Sequence, residues 1–188
     1  MEKIKKPGVD LGLTSDDKAS LYAIARTAIE CAATMKKLPD VEIKSDVLKE
    51  KRGAFVSLHR HGNLRGCIGY IHPSKPLYQT VQEMAIAAAF NDPRFGPVSH
   101  NELDDLDIEI SVLTPMKKIE DVKEIEIGKH GLYIINKHHH GLLLPQVATN
   151  YGWNKKTFLE QTCMKAGLPK DAWMDNDTEI YIFSADIF

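Results

Sequence analysis

The chain has 188 residues, with 24 Lys and Arg against 26 Asp and Glu and a formal net charge of −2. This length suits one domain or two fused lobes and is enough to bury a core. The balanced charge, with no basic run interleaved with aromatic residues, disfavours dedicated nucleic-acid binding. No apolar stretch approaches the roughly 20 residues that a membrane-spanning helix needs, so we expect no membrane function.

Cysteine usage indicates a reducing compartment. Cys31, Cys67 and Cys163 are odd in number, far apart and without a CxxC pair, which fits neither a disulfide framework nor a four-thiolate metal site. The N-terminus has cationic residues but no following apolar segment of the kind found in secretion signals. No Walker or dinucleotide-binding glycine pattern occurs. We therefore expect a soluble, cytoplasmic protein without a cofactor.

The N-terminal part of the chain predicts a tail and one long helix. Residues 1–13 read as a tail ahead of a domain over residues 14–188. Thr14 and Asp17 have the spacing of a capping box, and Pro39 should close the amphipathic helix that follows. The apolar positions at helical spacing are Leu21, Ile24, Ala28, Met35 and Leu38.

A β-hairpin is predicted next, and its register decides where Cys67 lies. Alternating residues on either side of the turn residues RHGN predict two strands, the second over 64–71. A three-residue turn would pair Leu58 with Leu64 and place Arg65 and Cys67 on the face opposite the apolar one. A two-residue turn would instead make Cys67 a core thiol. Turn chemistry and hydrophobic pattern favour the three-residue turn, in which Cys67 shares a face with Phe55, Ser57 and His59.

The rest of the chain predicts helices and strands in a loosely repeated order. A helix should run from about Pro76, with Ser74 as its N-cap, to Asn91. Ser99 and Glu102 have the spacing of another capping box. A strand with one polar face begins at Leu106, a second strand-turn-strand-helix passage follows, and a final strand covers 178–188. The fold class is therefore α+β, a two-lobed single domain with flanking helices. Its lobes share or abut one largely antiparallel sheet, with a weak internal duplication of the strand-turn-strand-helix unit.

The stretch LRGCIG combines an arginine, a cysteine and two glycines. Arg65 could stabilise a Cys67 thiolate, the nucleophilic form, and Gly66 and Gly69 would let a ligand or another main chain approach closely. The alternative is a packing role, because cysteine outside a disulfide is among the most buried residue types. No catalytic base is visible beside Cys67, since His59 would lie at the other end of the hairpin. Both interpretations stay open.

The tract His138–His140 is a weak metal signal. Three consecutive side chains in a hairpin turn cannot all converge on one ion. We therefore expect adventitious nickel or zinc binding at this tract and no physiological metal site.

Further blocks occur in order along nearly the whole chain. They are GAFVSL from Gly53, AIAAAFNDPRF from Ala85, LDIEISVLTP from Leu106, GKHGL from Gly128, GLLLPQVA from Gly141 and GWNKKTFLEQTCMKAGLP from Gly152. Together with LRGCIG they resemble the AMMECR family, the Alport syndrome chromosomal-region protein domain. The resemblance implies an α+β, two-lobed fold of unestablished biochemical activity. It also implies Memo-type and radical-SAM proteins of the AmmeMemoRadiSam system as partners.

The same resemblance implies a set of polar residues around an interlobe cleft. The matching positions are Arg65, Cys67, Asp92, Arg94, Glu109, His130 and Gln146. Arg65 and Arg94 would grip the carboxylate or phosphate of a small anionic ligand. His130 or Glu109 would transfer protons.

Structural roles are the alternative for several of these residues. Asp92 could form an Asx turn, Arg94 a salt bridge that braces its loop, and Gln146 a cap on nearby backbone. Two functions stay open for the chain: a binding module for a ligand or partner, and a cysteine-dependent enzyme with Cys67 as nucleophile. The binding module is favoured, because no complete nucleophile-base arrangement can be read from the sequence.

Overall fold

The structure is a computed structural model that describes residues 7–188, and it confirms the α+β class. Within those residues, no helix is both long enough and apolar enough to cross a membrane. The α-helices are α1 (Ser15–Ala33), α2 (Leu77–Phe90), α3 (Pro145–Asn150) and α4 (Lys155–Lys165). The strands are β1 (Ala54–Arg60), β2 (Asn63–Tyr70), β3 (Leu106–Leu113), β4 (Lys117–Ile119), β5 (Gly131–Asn136), β6 (His139–Leu143), β7 (Thr178–Phe183) and β8 (Ala185–Ile187).

The chain divides into two compact units. The N-terminal unit comprises Gly12–Leu113 with Ile187–Phe188, and the C-terminal unit comprises Thr114–Asp186 with residues 7–11. The first sheet has the strand order β2-β1-β3-β8, and the second has the order β4-β7-β5-β6. The strands thus form two four-stranded sheets and not the predicted one. The predicted final strand is also interrupted at Ser184, and its two parts, β7 and β8, belong to different sheets.

The described part of the predicted N-terminal tail is hydrogen-bonded. The Gly8 N–H donates to the Gly128 carbonyl at 2.7 Å, and the Val9 N–H donates to the Ala185 carbonyl at 2.8 Å. Residues 1–6 of the predicted tail lie outside the described residues. Residues 8–11 of the predicted tail are therefore part of the C-terminal unit.

Helix α1 starts where predicted but ends early. Thr14 Oγ1 accepts a hydrogen bond from the Asp17 N–H at 3.1 Å, and Asp17 Oδ2 accepts one from the Thr14 N–H at 3.0 Å, so the capping box is confirmed. The helix ends at Ala33 and does not continue towards Pro39, because Met35 has a φ of +54°, a left-handed conformation incompatible with a right-handed helix. Met35 is 98% exposed and does not belong to the predicted apolar face.

Two further local features of the N-terminal unit differ from the sequence prediction. The N-cap of α2 is Pro76 and not the predicted Ser74. The predicted polar face of β3 is exposed at Asp107, whereas Ser111 on the same face is buried. The face of β3 that carries Asp107 and Ser111 is therefore exposed at the start of the strand and buried towards its end.

The β1–β2 hairpin has a two-residue turn, so the predicted three-residue turn is wrong. Arg60 pairs with Asn63, which leaves His61 and Gly62 as the turn. Their φ angles are +51° and +77°. Positive φ at both central residues is typical of a type I′ turn, whose twist matches that of the flanking strands.

A β-bulge at Arg65 then moves the second strand by one residue. The register shifts so that Leu58 pairs with Gly66 and Ser57 pairs with Cys67. A two-residue turn alone would place Cys67 on the apolar face of the sheet. The extra residue in β2 returns Cys67 to the opposite face. Cys67 consequently lies on the face of Ser57, as predicted, although the predicted pairing of Leu58 was wrong.

Both sheets repeat one arrangement, as the weak internal duplication predicts. Each contains a hairpin whose second strand lies at the sheet edge and whose first strand pairs with a later strand, giving the orders β2-β1-β3 and β6-β5-β7. In each, a glycine of the edge strand contacts helix backbone. A Cβ on Gly66 would overlap the carbonyl oxygen of Ala88 in α2, and a Cβ on Gly141 would crowd the backbone of Ala166 at the end of α4.

Candidate functional site

The strand that contains LRGCIG, β2, lies at the edge of the first sheet. Cys67 pairs with Ser57 of β1, which pairs in turn with Glu109 of β3. Because paired residues on adjacent strands share a face, these three side chains form one row across the sheet. Ser57 is buried and Cys67 is half-buried. The Ser57 hydroxyl donates a hydrogen bond to Cys67 Sγ at 3.2 Å.

The peptide groups of Cys67 on the open edge of β2 are bonded by side chains. The Cys67 N–H donates to Asp92 Oδ2 at 2.9 Å, and Arg94 Nη2 donates to the Cys67 carbonyl oxygen at 3.3 Å. A neighbouring strand would supply the same pair of an acceptor and a donor. Asp92 and Arg94 therefore occupy the place of a further strand, which protects the edge from pairing with another chain.

Asp92 is the buried anchor of the loop after α2, with 4% of its surface exposed. Its Oδ1 accepts from the Arg94 N–H at 3.1 Å and from Arg94 Nε at 2.9 Å, and its Oδ2 accepts from Arg94 Nη2 at 2.7 Å. The Arg94 guanidinium holds the pKa of Asp92 well below its usual range, although burial acts in the opposite direction. Both structural alternatives considered for this pair, the Asx turn and the salt bridge, are present.

Arg94 keeps one edge of its guanidinium available. Its bonds to Asp92 and Cys67 use Nε and Nη2, and no group in the described part of the chain accepts a hydrogen bond from Nη1. The Arg94 side chain is 43% exposed, and its guanidinium carbon lies 5.4 Å from the centre of the Phe95 ring. Hydrogen bonding to Asp92 raises the pKa of Arg94. A guanidinium edge held in this way can bind a carboxylate or a phosphate.

Arg65 braces the loop from the other side. Its Nε donates to Glu102 Oε1 at 2.8 Å, and its Nη1 and Nη2 donate to the carbonyl oxygens of Gly96 and Pro97 at 2.9 and 3.2 Å. The Arg65 side chain is largely buried. Its hydrogen bond lowers the pKa of Glu102 to about 2. Glu102 and the two carbonyl oxygens therefore already accept hydrogen bonds from all three nitrogens of this guanidinium.

The two glycines of LRGCIG allow the close approach that the sequence predicts. The main chain of Ala88 approaches Gly66, and the ring of Phe55 lies against Gly69 where a Cβ would otherwise be. The groups that approach belong to the protein itself. Gly66 and Gly69 therefore have a packing role in this structure.

Family membership is decided by sequence and fold together. A model of the AMMECR1 family matches residues 22–188. The chain belongs to the AMMECR1 family. A protein of Methanothermobacter thermautotrophicus is 48% identical over 185 residues, which cover 94% of this chain and 95% of that protein. A protein of Thermococcus onnurineus is 47% identical over 179 residues, which cover 89% and 87%. The crystal structure of the uncharacterized protein PH0010 from Pyrococcus horikoshii has a TM-score of 0.85 and 43% identity, covering 89% of this chain and 88% of its own.

Two of the site residues predicted for this AMMECR1-family protein, His130 and Gln146, belong to the C-terminal unit, whereas Cys67 belongs to the N-terminal unit. His130 Nδ1 accepts a hydrogen bond from the Glu126 N–H at 3.2 Å. Burial lowers the pKa of His130, so its ring is neutral at neutral pH. Gln146 is buried in the first turn of α3. The predicted roles of His130 and Gln146, and that of Glu109 in proton transfer, stay predictions.

Sequence reasoning missed two residues of this AMMECR1-family site. Glu102 is predicted only as the capping-box partner of Ser99, a role it does have, since the Ser99 N–H donates to Glu102 Oε2 at 2.9 Å. Its contact with Arg65 joins positions 37 residues apart, and no sequence spacing signals it. Strand alternation does place Ser57 on the face of Cys67, but the sequence indicates no contact between Ser57 and the thiol.

The histidine tract of this AMMECR1-family protein is divided between a turn and a strand. His138 is in the turn after β5, while His139 and His140 are successive residues of β6 and so point to opposite faces. Across residues 7–188, no group of three or more His, Cys, Asp and Glu side chains is placed to hold a metal ion.

We expect acid to weaken the Arg65–Glu102 brace. The pKa of Glu102 is lowered from its usual 4.5 to about 2, so the stability it contributes is complete above pH 4.5 and is lost as the pH falls through 2. Linkage gives a contribution of about 3 kcal/mol. Urea denaturation at a series of pH values should show the free energy of unfolding falling in this window, and Glu102→Gln should flatten that fall.

The control for this prediction is an exposed carboxylate in the same unit. Glu83 pairs with Lys75 at 2.6 Å, and both side chains are about half exposed. Exposed pairs contribute about 0–1 kcal/mol, so Glu83→Gln should change the free energy of unfolding at neutral pH far less than Glu102→Gln. Equal losses in the two variants would contradict the assignment of Glu102 as a brace.

Proposed function

We propose that this AMMECR1-family protein is a binding module and that its surface around Cys67 and Arg94 binds an anionic group of a small molecule or protein partner. The observation that carries the proposal is the available Nη1 edge of Arg94, held in place by the buried carboxylate of Asp92. Because Asp92 fixes the guanidinium before binding, little side-chain entropy is lost when an anion arrives.

A carboxylate or a phosphate is the anion that best suits this surface. Either group can accept charge-assisted hydrogen bonds from the two N–H donors of Nη1. Asp92 compensates part of the Arg94 charge, so a simple ion should bind weakly and a larger ligand should add contacts of its own. The Memo-type and radical-SAM proteins implied by the family resemblance are the protein candidates, with a partner carboxylate as the anionic group.

Protection of Cys67 from alkylation tests anion binding beside it. In a Cys31→Ser variant, Cys163 is fully buried and should not react in the folded protein. Cys67 labelling by neutral iodoacetamide, followed by peptide mass spectrometry, then reports the neighbourhood of Arg94. Pyrophosphate and citrate should slow this labelling several-fold relative to sodium chloride at equal ionic strength.

Arg52 provides a matched control for the role of Arg94. Arg52 Nε and Nη2 both donate to Glu50 Oε2, at 3.0 and 2.8 Å, in a pair like that of Arg94 with Asp92. Arg94→Lys should abolish most of the protection, and Arg52→Lys should preserve it. Labelling rates that no anion changes in the folded protein would contradict an anion site at Arg94.

A cysteine-dependent enzyme is the second candidate function, favoured by the hydrogen bond from the Ser57 hydroxyl to Cys67 Sγ. Such a donor favours the thiolate form of cysteine, the nucleophile. The pH dependence of Cys67 labelling in the Cys31→Ser variant separates the two functions. A midpoint well below about 8.5 that rises in Ser57→Ala would support an activated nucleophile. An ordinary midpoint in both proteins would leave the binding module alone.

A further inference from the structure

The N-terminal unit contains a cavity of about 460 Å³ between helix α1 and the segment 38–45. Leu48 and Gln82 contribute to its wall. The lining residues in the described chain lie outside LRGCIG and outside the loop of Asp92 and Arg94. The volume falls in the range of small-molecule sites, roughly 300–1,000 Å³.

Small side chains on α1 create this space. Ser20, Ala23 and Thr27 are three or four residues apart, so they share one face of the helix, and all three line the cavity. Leu38 and Ile43, from the segment after α1, are half-buried although that segment has no regular secondary structure. A largely apolar wall with a few polar groups is typical of sites that bind small molecules.

The charged groups around the cavity are mostly negative. Among its described lining residues, three carboxylates stand against a single cation: Asp16, Asp17, Glu42 and Lys44. Hydrogen bonds from two hydroxyl groups, foremost that of Ser45, hold the pKa of the buried Asp17 carboxyl below its usual range, so this group is ionised at neutral pH. The charge balance favours a cationic ligand and disfavours an anionic one.

We propose that this cavity binds a small amphiphilic cation, an ammonium group carried on an apolar body. The apolar body packs against Ile24, Leu38 and Ile43, and the ammonium group faces the carboxylates that line the cavity. This ligand class differs in charge from the anion proposed for Arg94. The two sites share no lining residue, so failure of one proposal leaves the other standing.

Three probes with one alkyl chain and different head groups test the proposal: octylammonium, octanol and octanoate. In calorimetric titrations of the full chain, octylammonium should bind most tightly, with a dissociation constant about tenfold below that of octanoate. Ala23→Trp fills the cavity and should weaken octylammonium binding by about tenfold or more. Ala33→Trp is the matched control, because Ala33 is partly exposed, lies ten residues further along the same helix and does not line the cavity.

Each outcome of these titrations supports or overturns the proposal. Octanoate binding as tightly as octylammonium would overturn the charge assignment, and unchanged octylammonium binding in Ala23→Trp would overturn the location. Binding of an amphipathic helical peptide without any binding of octylammonium would overturn the ligand class in favour of a protein partner. Circular dichroism verifies the fold of each variant, and Ala23→Leu makes the same test if the tryptophan variant does not fold.

Discussion

Gly66→Ala should destabilise the N-terminal unit by about 3 kcal/mol, the upper part of the range for overpacked cores. The new Cβ would overlap the carbonyl oxygen of Ala88. That oxygen is backbone of α2, and no rotamer change can move it away. Helix α2 packs against both β1 and β2, so relieving the overlap means separating the helix from the sheet, which close-packed interiors resist.

Gly96→Ala is the control for this substitution. A Cβ on Gly96 would meet nothing within 4 Å, so its effect should stay within about 0.5 kcal/mol, the usual range for surface changes. Urea denaturation should be followed by circular dichroism, because both tryptophans, Trp153 and Trp173, lie in the C-terminal unit and their fluorescence reports on that unit. Equal stability of the two variants would show that α2 adjusts without cost.

The internal duplication explains why a glycine of the edge strand contacts helix backbone in both units. The polar row of Cys67, Ser57 and Glu109 has no polar counterpart of this kind among the described residues of the C-terminal unit. Gly66 and Gly141 occupy equivalent positions beside a helix. Glycines also lie against phenylalanine rings in equivalent rows, Gly69 with Phe55 and Gly131 with Phe183. The row that follows Gly66 in the N-terminal unit is Cys67, Ser57 and Glu109, and the row that follows Gly141 in the C-terminal unit is Leu142, Tyr133 and Tyr181. The chemistry near Cys67 is thus specific to one copy of a repeated scaffold.

Local sequence signals predicted the elements well and the hairpin register only partly. The capping boxes at Thr14 and Ser99 depend on residues three positions apart, and both are present. The hairpin turn depends on whether a non-glycine residue, His61, adopts positive φ, which is uncommon. The bulge at Arg65 is favoured by that side chain reaching Glu102, a contact that local sequence does not reveal.

Long-range contacts account for the remaining differences. A strand pattern over 178–188 shows no sign that Ser184 separates two sheets, because each half alternates correctly by itself. The family resemblance implies a ligand-binding role for Arg65 and Arg94 alike. It did not distinguish the arginine whose guanidinium is occupied by Glu102 from the arginine that keeps Nη1 available. That distinction depends on tertiary packing of the loop after α2.

Asp92→Ala should also destabilise the protein by about 3 kcal/mol, the range for breaking a buried hydrogen-bonded charge pair. The substitution removes the acceptor of four hydrogen bonds, one from the Cys67 N–H and three from Arg94. The Arg94 side chain is partly exposed and can recover water, which limits the loss. The Cys67 N–H loses its partner on the sheet edge, so its hydrogen exchange should accelerate more than that of amides in β1.

Asp92→Asn separates the charge of Asp92 from its shape, and Asp107→Ala is the control. The amide of asparagine keeps one acceptor oxygen but not the charge, so Asp92→Asn should cost less than Asp92→Ala while still weakening the hold on Arg94. Asp107 is exposed in the same sheet, and its replacement by alanine should change stability by no more than about 0.5 kcal/mol. If the Cys67 amide stays as protected in Asp92→Ala as in the native protein, then a group other than Asp92 closes this edge. That result would contradict the placement of Arg94 by Asp92 and, with it, the proposed anion site.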